Sequence, residues 1–349
     1  MKINILLPNF AQLPSGGHSI AYQYANGLAK KGHLVNLIFS SGKQNTFFNK
    51  LLFLVMYILI RFSKRWFKFH SSVKRKYVFS LNENNIPKAD ATIATAYSTA
   101  MVLKKCNADK GKKIYLIQGY ETFLAPKEII DETWKYNDMT KIVISKWLWD
   151  IGKNLGVSDM IYIPNFIDEK LFVKKNAHSN RIYDVAMMYS TAEVKGSQYG
   201  INALELVKKR FENFTAVIFA SCPRDKKIPQ WIDYIEKPSQ KFLIDSIYNN
   251  SKIYLCTSLS EGWSLPPMEA MACGAAVVTT RNGGVNEFCT NGETALMCDV
   301  KNSEQMSDGI IQLLNDKTLY DKLTEQGLNK IREFSFENSL NKLNGILDK

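Results

Sequence analysis

The chain has 349 residues, 46% of them hydrophobic and 22% charged; that composition excludes a disordered chain, and the length exceeds one ordinary core and predicts two domains. Residues 1–170 hold 24 Lys and Arg against 12 Asp and Glu, whereas residues 171–349 hold 21 against 21. The whole excess of +12 therefore lies in the first half, with no acid before Glu83, which predicts one basic domain joined to one neutral domain.

The chain opens on an apolar run, "INILLP" (3–8), directly behind Met1-Lys2, with no small-residue cleavage site; we expect no signal peptide. A glycine-bearing loop "NFAQLPSGG" follows, then a helix in which Ile20, Tyr24 and Leu28 recur beside Ala21, Ala25 and Ala29, stopped by Gly32. "LVNLIF" (34–39) is the next strand. Continuous apolar strands alternating with helices imply a buried parallel sheet. Further strands are expected at 91–96, 113–118, 141–145 and 160–165, and the pattern restarts at 183–190, 214–220, 252–258 and 275–280. The polar stretch 166–181 is the expected linker. The reading is thus an α/β chain of two Rossmann-like, doubly wound parallel-sheet domains, 1–168 and 169–349, facing a central cleft as the default active site.

One segment interrupts the alternation. "LLFLVMYILI" (51–60) is ten apolar residues, too short to span a bilayer, and runs into "RFSKRWFKFHSSVKRK". Phe62, Trp66, Phe69 and Val73 recur there at helical spacing among Arg61, Lys64, Arg65 and Lys68. A basic amphipathic helix over about 47–76 lying on an anionic membrane is the favoured reading, against a core helix with a solvated basic side. No nucleic-acid motif accompanies the patch, and no nucleic acid is expected as a partner. The six cysteines form no CxxC and sit mostly among apolar neighbours, as reduced thiols of a cytoplasmic protein would; four histidines argue against an imidazole metal site.

The chemistry concentrates in "SLSEGWSLPPMEAMACGAAVV" (258–278). "KIYLCTS" reads as a strand and "PPMEAMACG" as a short helix, so "LSEGWSL" is a loop feeding a helix start. Free N–H groups at such a start favour phosphate or sugar hydroxyls. Glu269, placed in the first turn, and Glu261, at the loop mouth, form a pair suited to vicinal hydroxyls. Residue types alone equally allow a dipole-stabilising surface acid and a plain loop acid.

The run "EGWSLPPMEAMACGAAVVTTRNGGVNE" resembles the E-x7-E signature of the retaining, GT-B-fold glycosyltransferases of family 4. "SGGHS", "KKGHLVNLI", "IPNFID", "EVKG" and "NGGVNE" fit that pattern in order. The resemblance implies that Glu269 holds the ribose of a nucleotide sugar, Glu261 the transferred sugar and Lys195 the diphosphate. Gly16 and Gly17 would let the donor approach the main chain, and Gly262, Trp263, Ser264 and Leu265 would offer N–H groups. It implies no metal and no cofactor beyond a UDP-, dTDP- or GDP-linked donor, and no Asp-x-Asp occurs in the chain. Relatives usually carry an Arg shortly before the Lys; here Ser190 and Thr191 stand there, with Arg224 and Lys226 as possible substitutes. Where many members have a His, this chain has "IYLIQGYETF", which nominates Gln118 and Glu121 and is similar to a subgroup containing deoxysugar transferases. Base-reading contacts are expected around Lys237-Pro238.

The implied activity is retaining transfer of a sugar to a saccharide acceptor, lipid-linked if 47–76 touches the inner face of the cell membrane, in surface polysaccharide assembly. The first domain would bind acceptor and the second the donor, with the last helix packing back on the first. A nucleotide-sugar epimerase of the same fold and a non-catalytic membrane- or polyanion-binding module are the rival readings.

Overall fold

The computed structural model describes residues 1–10, 14–41, 52, 53, 55 and 66–348. They form two compact units, Met1–Asn165 with Glu337–Lys349, and Phe166–Phe336. The first unit holds a seven-stranded parallel sheet. Its strands are β1 (Lys2–Leu7), β2 (Leu34–Ser40), β3 (Lys74–Val78), β4 (Ala91–Ala94), β5 (Lys112–Ile117), β6 (Thr140–Val143) and β7 (Met160–Tyr162), in the order β3-β2-β1-β4-β5-β6-β7. Every strand pair of this sheet is parallel.

The second unit repeats the design with β8 (Tyr183–Tyr189), β9 (Ala216–Ala220), β10 (Asp233–Glu236), β11 (Ser251–Cys256), β12 (Ala276–Thr280) and β13 (Leu296–Cys298), ordered β10-β9-β8-β11-β12-β13. In both sheets the strand order reverses beside the first strand, at β1/β4 and at β8/β11. Loops leaving the carboxyl ends of those two strands diverge, and the crevice between them is where open α/β sheets take ligands. Two Rossmann-like parallel-sheet domains are what the apolar runs predict.

Helix α1 (Gly16–Lys30) buries Ile20, Ala21, Tyr24, Ala25 and Leu28, as its 3.6-residue period requires, and Gly32 ends it with φ of +90°. Its Tyr22 is buried under Trp66, Phe67 and Phe69, with ring centroids 5.4, 5.2 and 4.8 Å away. Asn26 ties the same segment down, donating to the Lys68 carbonyl at 2.9 Å and accepting the His70 N–H at 2.8 Å. The helical spacing read into 66–73 is therefore corrected: these residues are not helical, and their rings cover α1. The rest of the proposed membrane segment, 47–65, lies outside the described residues except for 52, 53 and 55. Among the described residues no helix is long and apolar enough to cross a membrane.

The expected linker is also structured. Phe166, Ile167, Phe172 and Arg181 are all buried within the second unit. Arg181 donates to the carbonyls of Tyr248, Ser251 and Cys273, so a cation read as linker polarity is a buried staple for three main-chain carbonyls. The last helix, α9 (Phe336–Leu347), packs into the first unit: Ser339 Oγ donates to Pro164 O at 2.8 Å, and His33 Nε2 lies 2.7 Å from Asn344 Oδ1. All six cysteines are free.

Candidate active site

The site residues of the second unit gather at its strand-order reversal. Lys195 ends the short 3-10 turn Glu193–Lys195 that follows β8 and precedes helix α5 (Ser197–Arg210). Two bonds stitch that turn to the loop after β11: Thr257 Oγ1 donates to Lys195 O, and the Leu259 N–H to Val194 O, both at 2.7 Å. Gly196 makes the approach possible. It sits at φ +60°, and a Cβ there would lie 2.2 Å from Thr257 O.

This juncture brings Lys195 Nζ to 2.6 Å from Glu261 Oε1, across 66 residues of sequence. Ser258 Oγ donates to the same oxygen at 2.7 Å. The loop itself is anchored from β12, with the Glu261 N–H on Asn282 O at 2.9 Å and Thr280 Oγ1 on Ser258 O. Gly284 closes the packing, because a Cβ on it would stand 2.6 Å from Trp263 N. The Trp263 side chain is a core group, packed edge-on against Phe334 with its Nε1 3.1 Å from Met268 Sδ; only its main chain faces the loop's chemistry.

Ser264 then enters helix α6 (Leu265–Ala272) in the left-handed region, φ 73° and ψ 73°. For a non-glycine residue that conformation costs about 1–3 kcal/mol, and such strain collects at ligand clamps. Pro266 and Pro267 have no N–H, so the helix start presents chiefly the N–H groups of Ser264 and Leu265, which no acceptor among the described residues takes. Lys195, Glu261, Ser264 and Pro266 line one small pocket with Thr257 and Ser258.

Glu269 lies one turn further in than expected: Leu265 is the first helical residue, which puts Glu269 in the second turn. Its role as a dipole-stabilising acid is correspondingly weak. Burial pushes its carboxyl up to about 7, opposed by a hydrogen bond from Tyr248 Oη to Oε2 at 2.9 Å.

Arg224 is held by the turn that follows it. Its guanidinium donates to the carbonyls of Ile228, Pro229 and Ile232 and stacks over Tyr234. Ser190 and Thr191 occupy the place of the expected Arg, with the Ser190 N–H on Ser197 Oγ at 2.9 Å. Lys237, after β10, holds a left-handed conformation at φ 49°.

Gly16, Gly17, Gln118 and Glu121 belong to the first unit, around the carboxyl ends of β1, β4 and β5. Gly16 and Gly17 begin α1, and the Gln118 amide lies over Gly17, 3.4 Å from where a Cβ would be. Gln118 Nε2 reaches Thr95 O at 3.4 Å, while its Oε1 is buried with no partner among the described residues. Glu121 accepts the Tyr97 N–H at 2.7 Å and so closes the N-terminus of helix α2 (Tyr97–Lys104); burial raises its carboxyl to about 7. Burial lowers the pKa of His18, against the opposing bond from its Nε2 to Asn9 O at 3.0 Å. Thr257, Ser258, Tyr248 and Asn282 are supporting groups that sequence reading missed. The "TS" directly after the strand "KIYLC" was the available signal for the first two.

Comparisons with known proteins bear on this geometry. Residues 168–330 match the family model described as "Glycosyl transferases group 1". An uncharacterized glycosyltransferase of Haemophilus influenzae is 23% identical over 99% of both chains. The poly(glycerol-phosphate) alpha-glucosyltransferase of Bacillus subtilis is 26% identical over 66% of this chain, but over only 35% of its own length. A mutant of TarM from S. aureus, solved with UDP, alpha-GlcNAc-glycerol and Fondaparinux, superposes with TM-score 0.78 over all of both chains at 13% identity, a likeness of fold.

Proposed function

We propose that this glycosyltransferase, whose residues 168–330 form a group 1 domain, moves a sugar with retention from a nucleotide diphosphate to a saccharide acceptor. The observation that carries the reading is the Lys195–Glu261 pair at the β8/β11 reversal, beside a helix start with free N–H groups. An ammonium has three donors. Glu261 takes one, which leaves two for diphosphate oxygens. Both bonds to Glu261 fall on Oε1, so Oε2 is left for a sugar hydroxyl. Ser264 and Leu265 supply N–H groups to the diphosphate, and Glu269 accepts from the vicinal ribose hydroxyls. Charge that grows on the leaving diphosphate meets a fixed cation and fixed dipoles, the arrangement that lowers a barrier without reorganisation.

The acceptor hydroxyl would then attack on the face the diphosphate leaves, with a diphosphate oxygen taking its proton; the new C–O bond replaces the old one with the same anomeric configuration. Gln118 Oε1, buried and unpartnered, is an acceptor suited to a hydroxyl of either substrate. The UDP and alpha-GlcNAc-glycerol bound to the TarM mutant, and the poly(glycerol-phosphate) on which the Bacillus subtilis relative acts, support a UDP-sugar donor and a polymer acceptor. The basic apolar stretch at 51–65 supports a membrane-borne acceptor, and loss of sedimentation with anionic vesicles on Arg61→Glu plus Arg65→Glu is the expected result. The direct test of the chemistry is Lys195→Ala in a donor screen over UDP-, dTDP- and GDP-sugars. Transfer by the donor selected should fall about 10²–10³-fold in kcat. Undiminished kcat would refute Lys195 as the diphosphate's partner, and free epimerised donor formed without acceptor would replace transfer by epimerisation.

A further inference from the structure

Tyr248 supports Glu269 from an unusual place in the chain. The chain reaches it through a π-helical turn, Leu243–Ile247, followed by the 3-10 turn Tyr248–Asn250. Such π-turns insert one residue into a helix, are rare, and collect at functional sites. Tyr248 directly follows this turn and is 1% exposed. Its ring is walled edge-on by Phe219 of β9 and Tyr254 of β11, with centroids 5.9 and 5.8 Å away. Its O–H donates to Glu269 Oε2 at 2.9 Å.

We propose that Tyr248 is a positioning residue for donor binding: it holds one oxygen of the Glu269 carboxylate and turns the other toward the vicinal hydroxyls of the nucleotide. This rests on the reading of Glu269 as the ribose acceptor. The groups that face Glu269 from its neighbours are Tyr248, Tyr254 of β11 and Cys273 at the end of α6, and none of them is a cation. The Tyr248 O–H is thus the group that favours the ionised carboxylate against burial. A carboxylate accepts from both hydroxyls at once, whereas the protonated acid spends one oxygen as a donor. Nucleotide affinity should therefore fall as pH drops through about 7.

The test titrates UDP calorimetrically between pH 6 and 9 into the wild type and into Tyr248→Phe, Glu269→Gln and a protein carrying 3-fluorotyrosine at 248, with thermal unfolding as the check of folding. Tyr248→Phe should bind UDP about tenfold more weakly at neutral pH and recover as pH rises, its midpoint displaced upward by about one unit. The fluorinated ring, a stronger donor of the same shape, should displace it downward. A Tyr248→Phe profile superimposable on the wild type, or a loss equal at every pH, overturns the proposal. If the Phe variant fails to fold, an unmoved midpoint in the fluorotyrosine protein overturns it equally. Glu269→Gln separates the two layers. Loss of UDP binding in that variant, with Tyr248→Phe behaving as wild type, removes Tyr248 alone; wild-type binding by Glu269→Gln removes the ribose reading and the proposal with it.

Discussion

Replacing Gly284 by alanine adds one methyl group behind the loop that carries Glu261 and Trp263. Gly284 opens the turn Gly284–Glu287, and its new Cβ would lie 2.6 Å from Trp263 N and 2.7 Å from Trp263 Cα and C, all of them main-chain atoms. Ordinary contact begins near 3.4 Å, so one main chain must yield by roughly 0.8 Å. Overpacking of this size costs about 1–3 kcal/mol, which in a unit of this length lowers Tm by about 3–10 °C. The same shift is passed to the next two residues, Ser264 and Leu265, whose N–H groups are assigned to the diphosphate. Hydrogen bonds to a charged acceptor contribute about 1.5–3 kcal/mol each, so weakening the pair should reduce UDP affinity about 10–100-fold by calorimetry. Gly292→Ala is the control. Gly292 sits at φ +74° with nothing within 4 Å of a Cβ, so it should lose about 1 kcal/mol of stability and no affinity. Should Gly284→Ala melt earlier yet bind UDP as the wild type does, the assignment of the loop N–H groups is refuted.

Arg224→Met should lower Tm, because three carbonyls of the 228–232 turn lose their donor, while UDP affinity stays within about twofold; a tenfold loss would restore Arg224 as a phosphate ligand. Glu121 carries a pH signature. Its folded carboxyl is raised to about 7 from an ordinary 4.5, so the stability it contributes is fully present below pH 4.5 and is lost as pH rises through 7. Glu121→Gln, which keeps an acceptor for the Tyr97 N–H, should flatten that fall, gaining up to about 3 kcal/mol on the wild type between pH 5 and 8 in urea titrations. Parallel pH profiles for the two proteins would contradict the assignment.

What could be read from the residues follows from burial. Strands such as "VAMMYS" or "AVVTT" are apolar on both faces because neighbours cover both, and they announced themselves. The strands missed, β3 (KRKYV), β10 (DYIE) and β13 (LMC), all lie at sheet edges, where one side is free and polar residues or short length suffice. Glu261 and Glu269 were legible because their spacing is local. Their contacts were not: Lys195 was nominated by the resemblance alone, and its pairing with Glu261 arises at a juncture of two loops 66 residues apart, while Tyr248 comes to Glu269 from 21 residues away, just after a π-turn. The contacts of Arg224 were hidden for a related reason, since nothing local reveals that the following turn offers it three carbonyls. The rings at 66–69 kept a helical spacing that tertiary contact with Tyr22 overrode.

Diffraction from crystals grown with UDP tests the assembly most directly. The pyrophosphate should lie about 3 Å from Lys195 Nζ and from the N–H groups of Ser264 and Leu265, with both ribose hydroxyls on the Glu269 carboxylate. Nucleotide density anywhere else on the second unit, with Glu269 untouched, would contradict it.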